Sequence, residues 1–292
     1  MTLDELWTAS GAAAWGTCAY RDLLPAMDGN AQARAAELCP DPAGVFVAAY
    51  PYFSGNQPGN LSLYARGQDY HVAIPKRMER VCEALRACYP GRTFVRMVDD
   101  SPLPERMCAG LAGVGLRGRN GMTIVPPWGT YLFLGTVLTD LPLESAPEIS
   151  PLCMDCGACL EACPSGALTV EGVDRGRCLS DLTQRKGELS PQEREALTRH
   201  GLVWGCDLCQ RVCPYNQNVP LSPLPEFRED LMTDLAPEDV AALTNRQFRE
   251  KYAGRAFTWR GPGVLRRNLE LHREALDGAE PEMERKDRRE GT

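Results

Sequence analysis

Two cysteine runs constrain this chain more than any other feature of its sequence. The first, CMDCGACLEACP, spaces Cys153, Cys156, Cys159 and Cys163 with two, two and three residues between them and closes on Pro164. The second, CDLCQRVCP, repeats the pattern as Cys206, Cys209, Cys213 and Pro214 with one cysteine fewer, and Cys178 stands between the runs to supply it. In runs of this kind three cysteines wrap one face of a [4Fe–4S] cube and the fourth reaches a different cluster. The crossed pattern predicts one cube on Cys153, Cys156, Cys159 and Cys213. A second falls on Cys163, Cys178, Cys206 and Cys209. Zinc is the rival metal, but its sites use paired C-x-x-C motifs around a single tetrahedral ion, which is not the pattern of these runs.

The remaining composition narrows the setting. Thirteen cysteines without a secretory signal argue against a disulfide scaffold, because cytosolic thiols are kept reduced. The N-terminal MTLDELWTASGAAAWG has no basic stretch, no twin arginine and no cleavage site. It reads as a helix start, with Thr2 and Glu5 spaced as a capping box, so the expected location is the cytoplasm. No apolar run approaches the roughly 18 residues of a membrane span. A formal charge of −7 gives no global basic field for nucleic acid, although a local basic face is compatible with that sum.

An α+β architecture is expected. Residues 1–145 read as a mixed α/β domain, with strands in AGVFVAAYPYF and RTFVRMVDD and a helix in AIPKRMERVCEALRACYPG, where Ile74, Met78, Val81, Cys82 and Leu85 recur at helical spacing. Cys82 and Cys88 read as small core hydrophobes on that helix, and Cys18, Cys39 and Cys108 read likewise. GMTIVPPWGTYLFLGTVLTDLPL predicts two strands joined by a Pro-Pro-Trp-Gly turn. A ferredoxin-like double-cluster domain follows over 146–220, then a short helical region over 221–280. The charged residues 281–292 are expected to be disordered.

Two adjacent clusters form a wire, and some 145 residues before it favour a catalytic domain at its end. Three stretches there are candidates. LYARGQDYH (63–71) offers a cation, a carboxylate and an imidazole; VDDSPLPER (98–106) follows a strand with two carboxylates, where loops commonly carry function. AGVGLRGRNGM (112–122) holds four glycines that permit close backbone approach to a ligand. The bland alternatives are a surface ion pair between Arg66 and Asp69, a structural His71, and glycines without the strand-to-helix context of a dinucleotide site.

Taken in order, YARGQDYH, VDDSPLPER, AGVGLRGRNGM, GTYLFLGTVLTDLPL and the two cysteine runs resemble the epoxyqueuosine reductase family, and weaker similarity continues through GRAFTWRGPGVLRRNL. The resemblance implies a nitroreductase-like N-terminal domain that binds cobalamin, two [4Fe–4S] clusters, and reduction of the epoxide of epoxyqueuosine in tRNA to queuosine. It implies an external low-potential electron donor such as a ferredoxin or flavodoxin. Reductive dehalogenases are more distant relatives with the same domain logic. Asp99 matches the family's catalytic proton donor, with Asp100 a neighbouring alternative; burial beside an apolar corrin face would raise the Asp99 pKa in the direction an acid needs. Tyr64, Arg66, Asp69, His71, Gly115, Gly118 and Asn120 match positions around the family's cofactor pocket.

Three departures stand out. The glycine stretch carries Leu116, Arg117 and Arg119 where the family usually has tryptophan, an aliphatic residue and lysine. The residues after VLRRNLELHREAL are too few for the helical repeats that help family members bind tRNA. The charge is acidic where tRNA requires phosphate contacts, and Arg255, Arg260, Arg266 and Arg267 could form either a basic patch or a solvated helical face. Two other readings remain at this stage: a corrinoid reductase of another small electrophile, and a non-catalytic electron carrier.

Overall fold

The computed structural model describes residues 1–147 and 151–278; the expected disordered segment 281–292 lies outside the described residues. The chain begins with helix α1 (Leu3–Ser10), strand β1 (Ala14–Ala19), helix α2 (Gly29–Leu38) and strand β2 (Gly44–Pro51), then helix α3 (Tyr70–Cys88), strand β3 (Phe94–Met97) and helix α4 (Glu105–Leu111). Short strands β4 (Leu116–Arg117) and β5 (Thr123–Ile124) precede strand β6 (Leu132–Thr139). The capping box at the start of α1 is formed, with Glu5 N donating to Thr2 Oγ1 and Thr2 N to Glu5 Oε2.

A four-stranded antiparallel sheet in the order β1-β2-β6-β3 organises this half. β2 is buried along its whole length, which requires cover on both faces, and the alternation of a strand supplies two different covers. Phe46, Ala48 and Tyr50 face the layer of Trp7 from α1 and Ile74, Met78 and Val81 from α3. Val45, Val47 and Ala49 face Ala35 of α2 and Cys108 and Ala109 of α4. Cys18, Cys39, Cys82 and Cys108 are buried in these layers as expected, but Cys88 is exposed: it belongs to the last turn of α3, where residues 86–90 all lie in solvent.

The two strands read around the Pro-Pro-Trp-Gly turn both exist, but they do not pair with each other. β5 pairs with β4 in a separate two-stranded ribbon, and β6 enters the main sheet. The turn closes on itself through Val125 N donating to Gly129 O. Gly129 has φ +63°, and a Cβ there would meet Asn216 Oδ1 at 2.0 Å, because this turn is where the cysteine-rich segment docks.

That segment contains short helices α5 (Ala158–Glu161), α6 (Leu179–Leu182), α7 (Pro191–His200) and α8 (Leu208–Arg211). α5 and α8 lie within the two cysteine runs and pack against each other. The segment is fastened to the sheet half by buried polar contacts. Asp207, next to Cys206, accepts from Ser62 Oγ at 2.6 Å and from Leu63 N at 2.8 Å, while Ser62 N donates to Trp204 O at 2.8 Å. Burial still drives the Asp207 carboxyl above its ordinary pKa despite these bonds, so their loss would leave a poorly solvated acid.

Helices α9 (Pro237–Val240), α10 (Asn245–Lys251) and α11 (Pro262–Gly278) complete the chain. Their core residues Val240, Phe248 and Leu265, with Phe257 from the connection between α10 and α11, share one cluster with Leu61 and Ala65 of the first half and Trp204 of the cysteine-rich segment. No described helix is long and apolar enough to cross a membrane.

Ser62→Ala removes one of the two donors to a buried carboxylate and is expected to cost about 1.5–3 kcal/mol, read as a lowered midpoint in denaturant. An unchanged midpoint would show that the Asp207 clamp does not hold the halves together.

Candidate active site

The eight motif cysteines separate into two groups. Cys153, Cys156, Cys159 and Cys213 line one small pocket, and Cys163, Cys178, Cys206 and Cys209 line one end of a larger cleft. Electrostatic coupling follows the same division. The Cys213 thiol is pushed up first by burial and then by the charge of Cys153 and Cys156. Cys206 is raised to about 12, first by burial, with Asp207, Cys178 and Cys163 contributing further. Each set thus takes cysteines from both runs, the division that the crossed spacing predicts. Arg119 grips the loop between Cys153 and Cys156 by a bidentate bond to Asp155, both distances 2.6 Å, and donates to Val170 O at 2.8 Å. Its departure from the family pattern therefore faces the first cysteine set, not the larger cleft.

The larger cleft has a cavity of about 460 Å³, and about 1710 Å³ of open space when its mouth is included. β6 gives it an apolar floor in Leu132, Phe133 and Leu134, and the cysteine-rich segment contributes Ala167 and Leu168. Opposed chemistry enters from the loops after β3 and before α3. Asp99 lines the cleft, whereas Asp100 is turned to solvent near Arg34, so the two adjacent carboxylates are separated by the backbone. Asp99 has φ +62°, a conformation uncommon for a residue with a side chain. Its N–H is held by Glu105 Oε1 at 2.9 Å.

The Asp99 carboxylate meets residues from the first turn of α3. Tyr70 Oη donates to Asp99 Oδ2 at 2.7 Å, and His71 Nε2 lies 3.5 Å from the same oxygen. His71 Nδ1 is bonded to Asp69 Oδ1 at 2.8 Å, and that carboxylate also caps the helix by accepting from His71 N. The Tyr70 ring is stacked between His71, at 4.1 Å, and Phe133, at 4.3 Å. A helix cap, an aromatic stack and the sheet floor thereby fix the imidazole between two carboxylates.

Two carboxylates make the protonated imidazole the favoured form. The His71 pKa is raised to about 9, chiefly by the bond to Asp69 and then by Asp99. The Asp99 carboxyl is held below its ordinary value, first by His71 and, against the opposing effect of burial, by Tyr70. This reverses the expectation of a raised Asp99: the resident proton sits on His71. Glu105, half-buried at the start of α4 and lining the same cleft, is raised to about 7 by desolvation and by the charge of Asp99.

The other cofactor-pocket expectations are distributed unevenly. Tyr64 and Asn120 line the cleft; Asp69 and His71 stand behind Asp99; Gly118 lines the pocket of the first cysteine set. Arg66 is fully buried and away from the cleft, donating to Leu61 O at 2.8 Å and Gln57 O at 2.7 Å, so the Arg66–Asp69 ion pair is not formed. A Cβ on Gly115 would meet Ile124 O at 2.4 Å; that glycine serves the β4–β5 ribbon. Tyr70 and Glu105 were not singled out from sequence, although Tyr70 sits between Asp69 and His71 and Glu105 opens α4.

Comparison with known proteins places this geometry. Residues 33–101 match a family model described as "Epoxyqueuosine reductase QueG, DUF1730", and residues 152–216 match a "4Fe-4S double cluster binding domain". The epoxyqueuosine reductase of Synechocystis sp. is 31% identical over 248 residues, covering 81% of this chain and 85% of that protein. The chain belongs to the epoxyqueuosine reductase family. The Bacillus anthracis epoxyqueuosine reductase is 34% identical over 224 residues, 74% of this chain but 57% of that protein, so the chain matches little more than half the length of that relative. A crystal structure of an epoxyqueuosine reductase with an epoxyqueuosine-modified tRNA-Tyr stem loop superposes with a TM-score of 0.79 at 26% identity, covering 95% of this chain and 81% of that one. The family membership agrees with the α+β fold and the double-cluster segment described above.

The chain has three histidines, so proton NMR of the oxidised protein can follow His71 directly. One histidine should titrate near pH 9, and Asp69→Asn should lower that midpoint more than Asp99→Asn. A midpoint near the ordinary value of about 6.5 would refute the two-carboxylate arrangement.

Proposed function

We propose that the chain reduces the epoxide of epoxyqueuosine in tRNA to give queuosine. Removing the oxygen takes two electrons and two protons and releases water. The observation that carries this reading is the sharing of one cleft by Asp99, with its imidazolium partner, and the set Cys163, Cys178, Cys206 and Cys209. An acid and an electron entry point thus face the same space.

Family membership, the double-cluster match and the donor chemistry support a [4Fe–4S] cluster on each cysteine set, since four thiolates per site and no histidine favour iron–sulfur ligation. The cleft offers a flat macrocycle an apolar floor and a mouth that widens from a cavity of about 460 Å³ into open solvent. Tyr64, Asn120 and the β6 floor would hold cobalamin there. When bound, the clusters and the corrinoid supply low-potential single electrons to the substrate carbon, and an external ferredoxin- or flavodoxin-type donor is required to renew them.

The protein's own part is the proton. As the epoxide C–O bond breaks, negative charge develops on oxygen, and a positioned acid lowers that barrier by about 10²–10⁴ in rate. The proton resides on His71; Asp99, which lines the cleft and contacts that imidazole, relays it to the oxygen, and Asp69 keeps the imidazole charged and oriented. Below about pH 9 this pair is loaded; as pH rises through that value the proton is lost and turnover should fall.

The direct test incubates the reduced, cobalamin-loaded protein with epoxyqueuosine-bearing tRNA and analyses the nucleosides by mass. Loss of one oxygen from the modified nucleoside is expected, and an unaltered nucleoside would overturn the assignment. Asp99→Asn should lower turnover by at least about 100-fold with iron content and corrinoid absorbance unchanged; full activity would remove Asp99 from the acid role. Cys178→Ala should leave about four of eight irons securely bound, and an unchanged iron count would show that Cys178 is no ligand.

A further inference from the structure

The mouth of the cleft carries side chains that the proposed chemistry does not use. Trp259 is 57% exposed, which alone is ordinary for a single surface residue. Its setting gives it meaning: it lines the same cleft as Asp99, and it is held firmly. Phe257, two residues earlier, is fully buried beside Trp204 and Phe248. Thr258 Oγ1 donates to Arg255 O at 2.9 Å, and Arg255 Nη1 donates to Arg66 O at 2.9 Å. The Arg260 guanidinium lies 3.6 Å from the Trp259 ring centroid. One face of the indole is thus backed by a cation, and the exposure belongs to the remainder.

Three arginines share this region. Arg106, on α4, and Arg175, in the turn before Cys178, line the cleft. Arg117, on β4, lies close enough that its charge and that of Arg175 help, after burial, to hold the Arg106 guanidinium below its ordinary pKa; Asp99 and Glu105 offset only part of this. None of the three has an ion-pair or hydrogen-bond partner among the described residues, whereas Arg119 nearby is locked to Asp155. Gathering guanidinium groups whose charge is only partly offset and not directly paired is unfavourable, and a phosphate relieves it with geometry matched to arginine.

We propose that this rim grips single-stranded RNA beside the nucleotide undergoing reduction: a neighbouring base stacks on the open part of Trp259, and a phosphodiester sits among Arg106, Arg117 and Arg175. The proposal rests on the RNA-substrate reading above. An aromatic platform combined with cations suits unpaired nucleic acid, where each base offers a face. A-form duplex offers no splayed base to stack on.

The test titrates cluster-loaded protein, anaerobically and over a series of salt concentrations, with a labelled RNA hairpin bearing an unpaired loop and with a blunt duplex of the same stem. Iron content and visible absorbance confirm that each variant is intact. Trp259→Ala should weaken hairpin binding about tenfold with duplex binding unchanged, and Trp259→Phe should recover most of the loss. Arg117→Ala and Arg175→Ala should weaken both RNAs and each reduce the salt slope by about one. Hairpin affinity unchanged in all these variants overturns the rim while leaving RNA as substrate. Equal losses on hairpin and duplex for Trp259→Ala overturn the stacking assignment. Failure of the unaltered protein to bind the hairpin overturns the RNA reading and the rim together.

Discussion

The assembly of each cysteine set from both runs is the constraint around which this molecule is organised. Each set of four cysteines is drawn from both runs, so neither set can assemble unless the two runs are folded against each other, as α5 and α8 are. Burial first, and then the charge of neighbouring thiolates, raises their proton affinity, and a positively charged centre favours the deprotonated set. On the proposed reading, loading of the clusters and folding of this segment are linked. The same segment supplies Asp207 and Asn216 to the sheet half, which extends the dependence to the cleft itself.

The cleft then divides its labour by wall. One side presents sulfur, the floor is apolar β6, and the far side presents a proton held between Asp69 and Asp99. The stack of His71, Tyr70 and Phe133 ties that imidazole to the sheet, the same core on which the cysteine-rich segment docks. The four C-terminal arginines show how local such arrangements are. Arg255, Arg266 and Arg267 bond backbone carbonyls of Arg66, Val240 and Arg185 respectively, forming neither a basic patch nor a solvated face, and Arg260 alone reaches the cleft rim through Trp259.

What was legible in the sequence was what depends on spacing. Cysteine ligands announce themselves because a cube fixes the intervals between them, and β2 and α3 do so because burial imposes periods of two and 3.6. The crossed grouping of thiols was readable for the same reason. Roles set by tertiary neighbours were not. Nothing local distinguishes Arg66, sealed among carbonyls, from an arginine in a pocket, and Gly115 is required by the Ile124 carbonyl, not by a ligand. The Asp99 pKa was expected to rise from burial; its direction depends on His71, whose approach is set by the way α3 meets β6. Tyr70, Glu105 and Trp259 carry no motif signal beyond their adjacency to residues that do.

The most direct test of the account is the cofactor content of the chain after expression with cobalamin and anaerobic purification. Iron, acid-labile sulfide and the visible spectrum should together give about eight irons per chain and a corrinoid band beside the broad iron–sulfur absorbance. Zinc in place of iron, only about four irons, or a protein with both clusters and no affinity for the corrinoid would contradict it.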